Sequence, residues 1–404
     1  MSTAAGTLEL RRATDDDWDD IIAADARAFA FIHPLDDEAQ QDLRRKVRDE
    51  DVVVVRDGAD LVGVAMFYRM TMTVPGGTRV DIPGLSWVSV AATHRRRGIL
   101  RMMLTEIFEQ WERENFTFAA LTASEGTIYE RFGFGPACFE ERVSVELGRS
   151  TFREPAPDDS RVRFADDEQI RTAVPELHDR WSATRSGALA RSDVWWQMIF
   201  ADREMLRDGR SALHYLLHAD GYASYRIAHR GDDAVAEVSE IFTVSDVAHT
   251  DLWRVLLGLD LIPRVTATIP TDDALPVKLT DLRAVKVEHV ADAMWLRILD
   301  VPAALAARVY DRDTSFVLEV HDNHRDAGGR FAVDIADGRA TVTATTEPPT
   351  ITTDISVLSS IYLGGYRAVE FARANRLWVA DQPTLTAFDQ AFSTERRPFS
   401  GTFF

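Results

Sequence analysis

The chain has 404 residues and a formal net charge of −19, with 46% hydrophobic and 9% aromatic residues. That length exceeds what one core serves, so two or three globular domains are expected. The acidity argues against a nucleic-acid partner, and no apolar run approaches the roughly 20 residues of a membrane span. Acidity also suits a cationic substrate, which such a field would concentrate, although solubility accounts for the same charge. A single cysteine, Cys138, excludes an internal disulfide framework and a cysteine-based zinc site. Met1-Ser2-Thr3-Ala4-Ala5-Gly6 lacks the basic and apolar regions of a signal peptide, so the cytoplasm is the expected compartment, with unconventional export left open.

Residues 8–11 read as a short strand. Asp15, Asp16 and Asp17 favour a helix start, and Trp18, Ile21, Ile22, Ala26 and Phe29 continue it to a break at Phe31-Ile32-His33-Pro34. A second helix runs from Asp36-Asp37-Glu38 to about Arg48. Strands are expected at 52–56 and 61–68 about Asp57-Gly58, then at 70–74 and 79–82 about Pro75-Gly76-Gly77. Residues 85–90 are apolar and β-branched and predict the central strand. Beyond His94-Arg95-Arg96-Arg97-Gly98, apolar residues recur at Ile99, Met102, Met103, Leu104, Ile107, Phe108 and Trp111, the spacing of one helix face. A helix start carries unpaired N–H groups and partial positive charge. Three arginines and a glycine ahead of it make an anion cradle suited to a pyrophosphate, with Gly98 letting the phosphates approach the backbone. The same spacing also describes a solvated basic turn. A strand at 116–123, a short helix at 124–131 and a strand at 139–147 complete the first segment.

Arg95-Arg96-Arg97-Gly98-Ile99-Leu100 resembles the acetyl-CoA loop of the GNAT acetyltransferase superfamily, Gln/Arg-x-x-Gly-x-Gly/Ala, with Leu100 where that pattern has Gly or Ala. That departure, together with the preceding Val88-Ser89-Val90-Ala91-Ala92-Thr93-His94 run, is similar to the Eis family of actinobacterial N-acetyltransferases. The element order matches the GNAT order. The resemblance implies that Arg96, Arg97, Gly98, Ile99, Leu100 and Arg101 hold the pyrophosphate. It implies that the backbone of Val88, Ser89 and Val90 holds the pantetheine arm, while the two valine side chains should be buried. Ser124 and Glu125 match cofactor-contacting positions, although Glu125 equally suits a helix start. The Tyr129-Glu130-Arg131-Phe132-Gly133-Phe134 run resembles the segment where many GNAT enzymes set a tyrosine beside the thioester sulfur. A phenol there can protonate a leaving thiolate. A lone tyrosine on a helix is ordinarily core. Cys138 raises an acetyl-cysteine route, but it follows Pro136 with no local base and reads as a small buried residue.

A linker at 154–160 separates the first segment from a middle one. Helices at 169–184 and 193–207, a hairpin about Asp220-Gly221, and strand, helix and strand at 234–244, 248–258 and 263–269 repeat the first segment's order. This resembles a second GNAT-like unit without the basic loop, so no cofactor is expected there. His214 and His218 have helical metal spacing, but on a strand they stand about 13 Å apart, so no metal site is read. The last segment runs through strands at 285–290 and 294–299, a helix at 302–308, strands at 314–321, 329–335, 339–345 and 350–352, and helices from Asp354, 366–374 and 382–392. By resemblance it is a sterol-carrier-type α+β domain. The expected architecture is therefore tandem GNAT-like α/β domains at 1–150 and 151–283, followed by that domain at 284–404.

The chain ends in Phe403-Phe404, which suits a tail docked in an apolar slot better than a frayed end. Docking would fix an ionised α-carboxylate. The resemblance implies that the Phe404 carboxylate is the base and Tyr129 the acid in direct acetyl transfer from acetyl-CoA to a primary amine, without metal. It implies aminoglycoside-like polyamines or protein lysines as acceptors, and a homohexamer. Asp25, Asp36, Asp37 and Glu38 could attract such cations, or cap helices. A small-metabolite amine acceptor, and a non-catalytic acyl-CoA- or lipid-binding regulator, are the alternative readings.

Overall fold

The computed structural model describes residues 8–30, 35–155, 161–231, 233–325 and 327–404. The break expected at 31–34 and most of the linker at 154–160 lie outside them. The first unit comprises β1 (Leu8–Arg12), α1 (Trp18–Ala28), α2 (Asp37–Lys46), β2 (Val52–Asp57), β3 (Asp60–Thr73), β4 (Arg79–Val90), α3 (Ile99–Arg113), β5 (Phe118–Leu121) and β6 (Gly135–Glu146). β3 and β4 each fuse two of the expected strands. They pair antiparallel from Gly63↔Val90 to Thr73↔Arg79, and that ladder carries β4 through Pro83-Gly84. The helix expected at 124–131 is instead a set of turns ending in one 3-10 turn at Glu130–Phe132. Ser124, Gly126 and Thr127 are poor helix formers, which explains the difference.

The second unit comprises β7 (Arg163–Phe164), α4 (Asp167–Ser182), β8 (Leu189–Ala190), α5 (Asp193–Ala201), β9 (His214–His218), β10 (Gly221–Arg230), β11 (Asp233–Thr243), α6 (Asp246–Leu256), β12 (Arg264–Pro270) and α7 (Leu275–Lys278). Both units share one 13-stranded sheet, ordered β1-β2-β3-β4-β5-β13-β6-β12-β11-β10-β9-β7, where β13 is Val285–Ile298. β8 pairs with β3 off that path. β4 with β5 and β11 with β12 run parallel, each pair joined by a helical crossover, α3 and α6. This is the duplication read from the sequence. Its closure was not foreseen: β13, expected to open the last unit, inserts between β5 and β6. β6 in turn pairs with β12, so each unit is completed by a strand from beyond its own segment.

The last unit then begins at α8 (Val301–Ala307). Its five-stranded sheet is ordered β16-β15-β14-β17-β18, from β14 (Thr314–His321), β15 (Gly329–Ala336), β16 (Arg339–Ala344), β17 (Ile351–Asp354) and β18 (Leu377–Val379). Helices α9 (Ile355–Tyr362), α10 (Ala368–Arg373) and α11 (Gln382–Phe392) complete it. All eight residues of α9 are buried, and the helix packs on β6 and β13. The core of this unit is therefore continuous with the first unit's core on the α1 side of the sheet, from Ile21, Met66 and Tyr68 to Leu358 and Phe388. A separate cluster of Val53, Phe67, Ile107, Phe108 and Trp111 fills the α3 side. Buried Arg308 finds its counter-charge in two helix ends. It donates to the Tyr362 carbonyl at 2.5 Å and the Ala391 carbonyl at 3.2 Å, at the C-termini of α9 and α11.

The seam between α9 and β6 leaves no room at Gly135, where a Cβ would overlap the Ser356 carbonyl and the Ser360 hydroxyl. Gly135→Ala should cost about 1–3 kcal/mol by overpacking. A lowered urea midpoint, followed by tryptophan fluorescence, is the expected result; an unchanged midpoint would mean that the seam yields freely.

Candidate active site

β4 and β5 touch only briefly. Their register holds Gly84 opposite Ala120 and Leu85 opposite Leu121, and then the strands part. A β-bulge marks the parting on the other side of β4, where the register against β3 slips between Val64 and Met66. Trp87 sits there at φ 54°, a costly conformation for a bulky residue. The extra residue changes which side chains are covered. Ser89 is buried, whereas Val88 and Val90, expected in the core, are half-buried. The Ala91 N–H donates to the Val62 carbonyl at 2.9 Å. Alternation along an antiparallel ladder then turns the Val90 N–H and C=O toward the gap.

The basic loop closes the far end of that gap. Arg96 at φ 63° and Gly98 at φ 81° turn the chain into α3, and both lie in the left-handed region that glycine alone occupies without strain. Gly98 supplies no side-chain cap, so the N–H groups of Ile99, Leu100 and Arg101 are left without intrahelical partners. The equivalent end of α6 differs: the Ser245 side chain accepts from the Ala248 N–H at 3.2 Å. Arg95, Arg96, Arg97 and Arg101 are exposed around the loop. Arg97 and His94 both reach Asp57 at 3.1 Å, which holds that carboxyl below its usual range. Among the described residues no ion pair reaches Arg95, Arg96 or Arg101. Ile99 is buried, so of the expected pyrophosphate set it offers its backbone alone. An uncapped helix start ringed by unpaired arginines fits a diphosphate. From Leu85 to the loop is roughly 16 Å at the usual strand rise, the order of an extended pantetheine arm.

Tyr129 and Phe404 lie in the cores on opposite faces of the sheet. Tyr129 is buried on the α3 side with Leu85, Leu121 and Trp295. Its ring stands edge-on to Phe134 at 6.2 Å. Burial, assisted by Glu125, pushes its phenol up to about 12, so it is a protonated donor at neutral pH. Ser124 and Glu125 are exposed in the turns before it. Phe404 belongs to the core on the other face. Its ring lies over Gly84, where a Cβ would come within 2.7 Å of it. The Thr122 hydroxyl, one residue past β5, donates to a terminal oxygen of Phe404 at 2.9 Å. The tail is tied along its length: Arg397 N–H to Asp272 at 2.7 Å, Phe399 N–H to the Ser186 carbonyl at 3.0 Å, and Leu189 N–H to the Ser400 carbonyl at 3.1 Å. Gly401, at φ 65°, packs on Trp181 and Phe242. Phe403 is exposed.

The α1 side carries further groups that sequence reading missed. The Lys46 ammonium lies 3.5 Å from the Trp195 ring centre and 4.4 Å from that of Tyr68, and burial pulls its pKa down to about 8. Tyr68 stands opposite Gly84 in the β3–β4 register. Neither Lys46, Trp195 nor Thr122 carries a local signal, because each gains its place from a strand or helix remote in sequence. Of the four early acids, Asp36 caps α2 through the Ala39 N–H at 2.8 Å, Glu38 pairs with Arg203, and Asp37 is exposed. A hollow of about 820 Å³ beside α2, lined by Glu38, Asp42, Arg45 and Arg203 among others, has Glu38 and Asp42 paired in this way. Cys138 is fully buried and burial pushes its thiol up, which leaves no thiolate for covalent transfer. Among the described residues no group of three or more His, Cys, Asp or Glu is placed to hold a metal ion.

Asp25 remains. It is buried on α1, and burial raises its carboxyl to about 6. The folded chain therefore binds this proton more tightly than the unfolded one, and the associated stability is lost as pH rises from about 4 through 6. Asp25→Asn should flatten that slope and stabilise the protein at pH 7 by on the order of 1–3 kcal/mol. Urea midpoints at pH 4.5 and pH 7 check it; parallel shifts at both values would contradict it.

Comparison with known proteins bears on the family and the fold. Models of the acetyltransferase (GNAT) domain match residues 9–137 and 187–298, and a sterol carrier protein domain matches 301–401. The second match ends at the last residue of β13. The chain is 40% identical over 401 residues to N-acetyltransferase Eis of Mycobacterium tuberculosis (strain CDC 1551 / Oshkosh), covering 96% of this chain and 98% of that one. It is 34% identical over 350 residues to an uncharacterised N-acetyltransferase of Streptomyces griseus, covering 82% and 84%. Eis1 from Mycobacterium abscessus superposes with a TM-score of 0.87 at 28% identity, over 98% of this chain and all of that one. A GCN5-related N-acetyltransferase from Anabaena variabilis shares the fold, with a TM-score of 0.84 at 19% identity over 98% of this chain and 100% of that one. With two GNAT domains, a sterol-carrier domain and a relative of this identity along nearly its whole length, the chain belongs to the Eis family of N-acetyltransferases.

Proposed function

We propose that the chain moves an acetyl group from acetyl-CoA directly to a primary amine, with aminoglycoside-like polyamines as the acceptor class. The observation that supports the reading is that Thr122, just past β5, holds the Phe404 carboxylate with the Phe404 ring over Gly84 of β4, while Tyr129 is buried in the core on the opposite face of the sheet. Arg96, Arg97, Arg101 and the N–H groups of Gly98, Ile99 and Leu100 hold the diphosphate of the coenzyme. The freed edge at Val88, Ser89 and Val90 takes the arm as a strand would, and an N–H there donates to the thioester oxygen. Such a donor is worth about 2.7–4 kcal/mol where an oxyanion forms. Ser124 and Glu125 border the arm.

The proton traffic follows from the two faces. Phe404 takes a proton from the acceptor ammonium, since only the free amine has a lone pair. The amine nitrogen bonds to the acetyl carbon, the carbon–sulfur bond breaks, Tyr129 protonates the leaving thiolate, and the second proton that the nitrogen sheds on becoming an amide returns to the phenolate. Asp25, buried on the acceptor side, is the early acid best placed to favour a cation. Lys46 opposes one, so acceptors that keep their charges away from Tyr68 and Trp195 are favoured. Protein lysines and small amines are the competing acceptors. A homohexamer is the proposed assembly, on family likeness, and the cytoplasm the proposed compartment, on the N-terminal sequence and the single cysteine.

Thiol release from acetyl-CoA with an aminoglycoside panel, a lysine peptide and small amines tests the reading. Tyr129→Phe should lower kcat by roughly 10²-fold or more with the acetyl-CoA KM unchanged. Because the phenol is raised to about 12, the parent enzyme should hold its rate through pH 10 instead of losing its acid there. Deleting Phe404 should cost a similar factor. Undiminished turnover without Phe404 would remove the proposed base.

A further inference from the structure

Several buried cations play no part in the proposed chemistry, and one of them, Arg191, holds the last residues of the chain. Arg191 follows β8 directly, and its side chain is 3% exposed. Its Nη2 donates to Glu240 at 2.6 Å and to the Gly401 carbonyl at 2.9 Å, while its Nε donates to the Thr402 hydroxyl at 3.0 Å. The guanidinium lies over Trp196 at 4.9 Å and Phe242 at 5.8 Å. The Tyr222 hydroxyl donates to the second oxygen of Glu240 at 2.8 Å, so the carboxylate is itself held in orientation. Arg191 thus links the second unit to the tail, with Nη2 shared between Glu240 and Gly401 and Nε on Thr402.

We propose that Arg191 is the positioning residue for the terminal carboxylate, and that the second unit serves as the receptor for the tail. The inference rests on the reading of Phe404 as the base. Past Thr402 only two residues remain, about 7 Å of chain, before the carboxylate that Thr122 meets at the other end. Arg191 is the last side-chain anchor before that span. It is also tied to the floor of the site. β8 pairs Ala190 with Thr71 and Leu189 with Met72 on β3, the strand whose Met70 lies against Gly84 beneath the Phe404 ring. Clamp and floor are therefore one piece of sheet. A base must stand within about 2.6–3.2 Å of the proton it removes, and a misplacement of about 1 Å costs on the order of 10²-fold. Lysine could keep the charge of Arg191, but it lacks the planar fork that reaches Glu240, Gly401 and Thr402 together.

The test is a cycle on the full chain. Arg191→Lys and Thr402→Val are measured singly and on the Phe404-deleted background, reading kcat, the acetyl-CoA KM and the pH profile by thiol release. Arg191→Lys should lower kcat tenfold or more and Thr402→Val about fivefold, with the acetyl-CoA KM within twofold and the acid limb of the profile displaced. On the deleted background neither should lower the rate further, because the group they position is gone. Losses that multiply with the deletion, or single variants that keep full kcat, would overturn the proposal. If Arg191→Lys fails to fold, Thr402→Val decides, since it leaves no buried charge unpaired. Full activity of the deletion alone would instead refute the base reading, an outcome distinct from failure of the clamp.

Discussion

Everything in the site depends on two strands that stop pairing. β4 and β5 are held together for two registered positions and then diverge. A parallel pair that parted inside a sheet would ordinarily leave buried N–H and C=O groups unmet, which is expensive. Here the bulge at Trp87 bends β4 away, the loop at Arg96 and Gly98 turns the chain into α3, and the freed edge opens between arginines and the carboxyl end of the chain. The gap is where the pantetheine arm is proposed to pair with the freed edge of β4. The fold tolerates it because the rest of β4 is fastened to β3 along most of its length.

The second and third units explain how such an opening is kept in shape. Exchange of β6 and β13 ties the first two units into one sheet, so neither can shift without breaking long ladders. The last unit seals the α1 side of that sheet through a fully buried helix, α9. From this unit the tail returns across the second one and delivers Phe404 to Gly84 and Thr122. The proposed role of the Phe404 carboxylate would therefore depend on the assembly of all three units, although the strands that part belong to the first.

Much of this was legible in the sequence, for local reasons. The face of α3, the basic loop with its glycine, and the repeated order of elements are all set by residues close together along the chain. The role given to the tail came from family likeness. What local reading missed is long-range. Residues 285–298 look like the start of a new sheet, and only pairing with β5 and β6 reveals that they finish an old one. The bulge at Trp87 is a single extra residue, yet it buries Ser89 in place of the flanking valines. Glu38 looked like a free acid because Arg203, its partner, lies 165 positions away. Arg191 gave no signal at all, since its ligands are a strand and the last residues of the chain.

The central claim is that the chain's final carboxylate is the base. The most direct test is a semisynthetic full-length protein in which Phe404 ends in a carboxamide, with its ring and every other atom retained. The account predicts unchanged coenzyme binding, a fall in kcat of roughly 100-fold or more at pH 7, and loss of the limb by which activity declines at acid pH. Turnover equal to that of the natural carboxylate, with the same pH profile, would contradict it.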